Sequence, residues 1–228
     1  MIWKNWGWAS KIRFLTNPQD YISFVQMAGR LILASKSPRR YELLKQMGLH
    51  FDVVPSSVEE ENFVRHESPR EHVIRLSEEK AQEVGRTHPD SWVLGADTIV
   101  YIDGTLLGKP KTREEALDML RRLSGQEHSV LTGFSVLNVS KNKAERGAVE
   151  TAVKVKPLSP VKMEWYVQTG EPFDKAGAYA IQGIGSFMVE SIRGSYTNVV
   201  GLPVCEVMEG LGRLGAITIS ESGIQIVE

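Results

Sequence analysis

"LILASKSPRRYELLKQMG", Leu31–Gly48, decides the fold class. Its opening, Leu31–Ala34, is a short apolar run that reads as a buried strand. Ser37-Pro38 follows, pairing a capping residue with a proline whose fixed φ suits the first helical turn. Leu43, Leu44 and Met47 then fall on one helical face, and Gly48 is placed to stop the helix. A strand leading directly into a helix is the first half of an α/β unit. Arg39 and Arg40 lie side by side in the first helical turn, where acids are ordinarily favoured. They are either two solvated charges on a capped helix, or guanidinium forks that join the free N-terminal amides in holding phosphate. Ser35 and Ser37 would add hydroxyl donors to such a site.

The alternation continues outward from this stretch. Phe51–Val54 reads as a second strand. Ser68, Pro69 and Glu71 carry the spacing of a capping box, opening a helix whose apolar stripe runs through Val73, Leu76 and Val84. Lys80 falls on that stripe, where an apolar residue is expected. Trp92–Ile102 is a long apolar strand closed by the turn Asp103-Gly104. Thr112 and Glu115 have capping-box spacing ahead of another helix stopped by Gly125. Ser129–Val139 and Ala148–Val155 read as strands joined through "SKNKAERG", Ser159-Pro160 starts a helix ending near Gly170, and Phe187–Ile192 is a further strand. Val204–Leu214 reads as a helix of weak signal, and the alternating "AITISESGIQIVE" as a terminal hairpin. The chain thus reads as α/β.

Length and composition fit one such domain. At 228 residues, 42% hydrophobic and 24% charged, the chain can bury a substantial core. A formal charge of -1 provides no global field for nucleic acid. Residues 1–30 carry Lys4, Lys11, Arg13 and Arg30 against Asp20, so the remainder is acidic by about −4. Cys205 stands alone, which excludes an internal disulfide and a cysteine-based zinc cluster and suits a reducing, cytoplasmic compartment. No apolar run approaches the length of a spanning helix, and no stable membrane association is expected. The Trp-rich start reads as a tail outside the fold, since Met27 opens "MAGRLILAS" as a natural start would. A membrane-surface helix or an organellar presequence are the other readings of that segment.

Four features break local rules, and such breaks gather at functional sites. The twin arginines are the first. Asp97 in "VLGADTIVY" is the second, because a carboxylate within a buried strand is costly unless paired or metal-bound. Lysine placement is the third: Lys80, and Lys109 in "GKP", would add two positive charges to those of Arg39 and Arg40. The fourth is "DKAGAYAIQGIG", Asp174–Gly185, whose small residues let backbone approach a ligand and whose Gln182 amide can read a base edge. Neither GxGxxG nor a Walker pattern is present, and the five histidines show no metal-ligand or triad spacing.

Eight blocks in this order resemble the Maf family of nucleoside triphosphate pyrophosphatases. They are "LILASKSPRRYELL", "VEEE", "RLSEEKA", "VLGADTIV", "LLGKP", "MLRRLSGQEHSVLTG", "GEPFDKAGAYAIQG" and "GSYTNVVGLP". The resemblance covers residues 31–214, leaving 1–30 and 215–228 as extensions. It implies a mixed, elongated β-sheet flanked by helices, with two lobes and a nucleotide cleft between them, as in Ham1-like ITPases, and usually a homodimer. It further implies hydrolysis between the α and β phosphates with a divalent metal, Mg²⁺ or Mn²⁺. On that implication Asp97 is the catalytic base and, with Glu60, a metal ligand; Ser35, Arg39, Arg40, Lys80 and Lys109 bind the triphosphate. Glu59 or Glu61 takes the place of Glu60 if the alignment slips by one. Arg39, Thr98 and Gln182 match the branch acting on dTTP and UTP, whereas Ala180 replaces the family's usual glycine. A 7-methyl-GTP pyrophosphatase and a non-hydrolysing, nucleotide-sensing regulator of cell division are the competing readings.

Overall fold

The computed structural model describes residues 29–59 and 66–218. The expected tail at residues 1–26, the acidic stretch holding Glu60 and nearly all of the expected terminal hairpin lie outside the described residues. Among these residues seven strands form one mixed sheet: β1 (Leu31–Leu33), β2 (Phe51–Val53), β3 (Trp92–Ile102), β4 (Thr105–Leu107), β5 (Glu127–Asn138), β6 (Lys143–Val155) and β7 (Val189–Arg193). Their order is β2-β1-β3-β5-β6-β7, with β4 hairpinned onto β3. β1 lies parallel to β2 and β3, and the remaining pairs are antiparallel.

Among the described residues six α-helices cover the sheet: α1 (Pro38–Gln46), α2 (Pro69–Thr87), α3 (Arg113–Leu123), α4 (Pro160–Gln168), α5 (Tyr196–Val200) and α6 (Val204–Leu214). Ser37, Ser68 and Ser159 each precede the proline that starts a helix, as the sequence predicts. The box at α2 is complete, with Ser68 and Glu71 bonding each other's backbone amides. At α3 only half forms: Thr112 accepts from the Glu115 amide, while Glu115 Oε2 accepts from the amide of Lys111 at 2.6 Å. Several strand boundaries differ from expectation; β5, for one, opens at Glu127 where Ser129 is expected. β6 begins at Lys143, so the hairpin after β5 is tight, with Asn142 in the left-handed region at φ 49°. The segment Ile184–Met188 is a 3-10 turn, and β7 starts only at Val189.

Strand alternation divides β3 between the two faces. On one face Trp92, Leu94 and Ala96 join Leu43, Leu44, Val207 and Leu211 from α1 and α6 in one core. Farther along the same face Val100 and Ile102 join Leu117, Leu120, Met163 and Tyr166 from α3 and α4 in a second core. The opposite face is covered by α2, through Val73, Ala81 and Val84. Between the two cores, at Thr98, the packing turns polar.

Candidate active site

The sheet itself makes the opening. One edge of β3 pairs with β1 over Trp92–Leu94 and with β4 over Val100–Ile102. Between these spans, among the described residues, β3 has no partner strand on that edge, while its other edge is paired with β5 throughout Val93–Tyr101. Side chains from both faces of β3 therefore reach one cleft, of about 460 Å³, at this gap. Asp97 enters from the α2 face and Thr98 from the other. The loop after β1, carrying Ser35–Arg40, closes one wall, and the stretch 174–182 closes the facing one.

Asp97 is 4% exposed, and Lys80 Nζ donates to its Oδ1 at 2.7 Å. Two glycines explain how the lysine gets there. A Cβ on Gly95 would sit 2.1 Å from Ser77 O, and one on Gly133 would sit 2.1 Å from Val73 O. Gly133 is the direct cross-strand partner of Asp97. The α2 backbone thus rests on bare sheet, which carries Lys80 down to the carboxylate. Lys80 is 4% exposed and its charge is matched in place. A buried pair of this kind is a weak contributor to stability, because desolvation offsets most of the attraction. Its presence points to use of the charges rather than to scaffolding.

The twin arginines divide their work. Ser37 caps α1, accepting from the Arg40 amide at 3.4 Å, and donates its own amide to Ser35 Oγ at 3.2 Å. Arg40 turns inward and is 8% exposed. Its Nη1 donates to Ser35 Oγ (3.1 Å), its Nη2 to Thr98 Oγ1 (3.0 Å) and its Nε to Gly201 O (2.8 Å). Arg39 turns across the cleft, donating through Nη1 to Asp174 Oδ2 at 2.8 Å and through Nη2 to Asp174 O at 3.3 Å. Burial pushes the Asp174 carboxyl up, but hydrogen bonds from Lys175 and Arg39 outweigh it and hold the group below its ordinary range.

The far wall is a tied loop. Glu171 accepts from the amides of Ile184 and Gly185, both at 2.9 Å, and from Tyr166 OH at 2.9 Å. Gln182 presents its amide at the cleft and donates through Nε2 to Tyr196 OH at 3.1 Å. Tyr179 also lines the cleft, its hydroxyl 2.7 Å from buried His128 Nε2. Burial alone lowers the His128 pKa to about 4.

Ser35, Arg39, Arg40, Lys80, Asp97, Thr98, Lys109 and Gln182, dispersed in sequence, all line this cleft. Glu60 lies outside the described residues. Lys36, Asp174, Lys175 and Tyr179 line it as well, and of these the last three belong to the loop singled out for its small residues. That small-residue pattern marks close approach but does not say which neighbouring charge turns inward. Among the described lining residues six are cationic (Lys36, Arg39, Arg40, Lys80, Lys109, Lys175) and two are carboxylates (Asp97, Asp174). A chain with a formal charge of -1 has concentrated positive charge in one pocket, the electrostatic form of a polyanion site.

The chain matches the family model described as Maf-like protein over residues 30–214. It is 51% identical over 191 residues to a dTTP/UTP pyrophosphatase of Syntrophus aciditrophicus, covering 84% of this chain and 93% of that protein. It is 50% identical over 208 residues to a dTTP/UTP pyrophosphatase of Syntrophotalea carbinolica, covering 90% and 91%. A solved nucleoside-triphosphatase / dITP/XTP pyrophosphatase from Mycobacterium abscessus shares 13% identity, with a TM-score of 0.39 and coverage of 81% and 94%.

Proposed function

The chain belongs to the Maf-like protein family, and from that premise we propose that it hydrolyses dTTP and UTP to the monophosphate and pyrophosphate. The observation that carries this reading is the pairing, in one cleft, of a buried carboxylate with six cations. A triphosphate brings about four negative charges, and each close opposite pair is worth on the order of 4 kcal/mol before desolvation at an effective dielectric near 20. Arg39, Lys109, Lys175 and Lys36 provide that compensation along the cleft walls, and Ser35 and Ser37 provide neutral donors at the helix start. Binding draws Arg39 from Asp174 onto phosphate, an exchange of one anion for another.

Hydrolysis at the α phosphorus requires positioning and charge stabilisation more than covalent chemistry. Asp97 orients the attacking water and takes its proton, and Lys80, bonded to Asp97 Oδ1, fixes the plane of the carboxylate. The departing pyrophosphate gathers charge within the cleft that these cations line. A cation held chiefly by substrate phosphates needs only one or two protein carboxylates, all oxygen donors. Asp97 fits that requirement, although no cluster of three or more His, Cys, Asp or Glu gathers among the described residues. Asp97, with Glu60, would hold Mg²⁺ or Mn²⁺, which supplies further neutralisation of the phosphates when bound.

Base selection belongs to Arg39, Thr98 and Gln182. An amide offers a donor and an acceptor side by side, which suits the N3–H and carbonyl edge of uracil and thymine. The same reading takes the enzyme to be a homodimer of the cytoplasm; among the described residues no helix is long and apolar enough to cross a membrane. Its test is a panel of dTTP, UTP, CTP, GTP and 7-methyl-GTP, assayed for pyrophosphate with Mg²⁺ and with Mn²⁺. The expected result is pyrophosphate from dTTP and UTP above all others. Release of orthophosphate, preference for 7-methyl-GTP, or binding without turnover each overturns it.

A further inference from the structure

We propose that Thr132, a buried residue absent from the cleft wall, is a positioning residue for phosphate binding, acting through Thr98 and Arg40 on the hydroxyl of Ser35. The proposal rests on the pyrophosphatase reading above. It comes from following hydrogen-bond direction through four side chains.

Thr98 and Thr132 are directly opposed in the β3–β5 ladder, with their Oγ1 atoms 3.0 Å apart. Thr132 is fully buried, and its Oγ1 donates to Asn198 O at 3.1 Å. A carbonyl only accepts, and with the Thr132 hydroxyl proton on Asn198 O the proposal assigns Thr98 as the donor between the two threonines. Thr132 therefore meets Thr98 with a lone pair, and Thr98 supplies the proton of that bond; its other acceptor, Gly201 O, is farther at 3.4 Å. Thr98 in turn receives Arg40 Nη2 at 3.0 Å, as it must, since a guanidinium has donors only.

The last link reaches the cleft. Ser35 Oγ accepts from Arg40 Nη1 at 3.1 Å and from the Ser37 amide at 3.2 Å. Both lone pairs are engaged, so the Ser35 hydroxyl acts toward the cleft as a donor. Phosphate oxygens are the matching acceptors. The relay is anchored at its inner end: Asn198 is fully buried and donates through Nδ2 to Val130 O at 3.0 Å and Thr151 Oγ1 at 2.8 Å. That holds α5 to β5 and β6, and with it the carbonyls that receive Thr132 and Arg40. Thr98 thereby gains a second duty. It orients an arginine for phosphate, independent of any contact with the base.

The experiment separates phosphate positioning from base reading by using inorganic tripolyphosphate, which has no base. Its affinity is measured by calorimetry for the full chain and for T132V, T132S, T98V and the T98V/T132V double variant, alongside KM for UTP and the UTP-to-GTP ratio. Valine keeps the shape of threonine and removes the hydroxyl; serine keeps the hydroxyl. T132V is expected to weaken tripolyphosphate about tenfold, equivalent to about 1.4 kcal/mol, and to raise KM for UTP by a similar factor. T132S is expected to restore most of that affinity, the double variant to bind no worse than T98V alone, and the UTP-to-GTP ratio of T132V and T132S to stay fixed. The proposal falls if T132V binds as the unmodified chain does, if T132S loses as much as T132V, or if the two losses multiply. It falls equally if the unmodified chain does not bind tripolyphosphate. Absence of pyrophosphate release from UTP by the unmodified chain would defeat the functional reading alone, and tripolyphosphate affinities would still judge the relay.

Discussion

Replacing Gly95 by alanine adds one methyl group and should damage the site from the sheet upward. The new Cβ would lie 2.1 Å from Ser77 O, 2.8 Å from Ala81 N and 3.1 Å from Ala81 Cβ. The first two are backbone atoms of α2, so no rotamer change relieves the clash. Restoring an ordinary carbon–oxygen contact requires α2 to retreat by about 1 Å, given that close-packed interiors leave no slack. Lys80 rides on that helix. A retreat of this size would stretch its 2.7 Å bond to Asp97 well beyond the usual hydrogen-bond range. Overpacking of this kind costs about 1–3 kcal/mol. Misplacement of a reacting group by about 1 Å can cost on the order of a hundredfold in rate. Urea denaturation followed by tryptophan fluorescence measures the first quantity, and kcat/KM for pyrophosphate release from UTP measures the second. Gly212, within α6, is the control: a Cβ there meets nothing within 4 Å. Alanine at that position should be neutral or stabilise by up to about 1 kcal/mol through helix propensity. A G95A variant with unchanged midpoint and unchanged kcat/KM would refute the argument that bare sheet seats the helix and thereby the lysine.

Other perturbations probe separate parts of the site. D97N keeps the shape of the side chain but removes the charge, and is expected to abolish turnover while leaving the circular dichroism spectrum intact; full activity would strip Asp97 of its role. Q182A should bring UTP and GTP hydrolysis closer together, and an unaltered ratio would show that the amide does not read the base. His128 sets a pH dependence, because its folded pKa of about 4 lies below the ordinary 6.5. Between those values the unfolded chain binds a proton that the folded one excludes, so stability is complete above pH 6.5 and falls as pH drops toward 4. The loss is about 3 kcal/mol, read as a declining urea midpoint, and H128Q should flatten it. An equally steep decline in H128Q would assign the effect to other groups.

The legibility of these features in the sequence follows their physical range. Caps, turns and buried runs are local, so Ser37, Ser68, Gly48 and the eleven residues of β3 could be read directly. Lys80 was visible as a charge on an apolar stripe, and Asp97 as a charge in an apolar strand. What no local pattern expressed is that the two face each other. That pairing depends on Gly95 and Gly133, two bare positions on neighbouring strands that become a helix seat only once β3 and β5 are in register. The twin arginines looked equivalent, yet Arg40 is drawn inward by Gly201 O, a contact across 161 residues, while Arg39 is drawn outward by Asp174. Thr132 was hidden for the opposite reason. It sits mid-strand in β5, where threonine is an ordinary residue, and nothing about its type sets it apart until its partner across the ladder is known. The 3-10 turn at Ile184–Met188 is not legible locally, because Phe187 and Met188 imitate the opening of a strand while Glu171, thirteen and fourteen residues before Ile184 and Gly185, ties down their amides.

Both hydrophobic cores on one face are strung along the same strands: β3 gives Leu94 and Ala96 to one and Val100 and Ile102 to the other, while β5 gives Phe134 and Val136 to one and Val130 to the other. A jaw needs a hinge, and a continuous ladder of Val93–Tyr101 against Ser129–Leu137 offers none. Side chains borne by the sheet, such as Asp97 and Thr98, are therefore held at one spacing, and adjustment to a ligand falls to the loops that make the cleft walls.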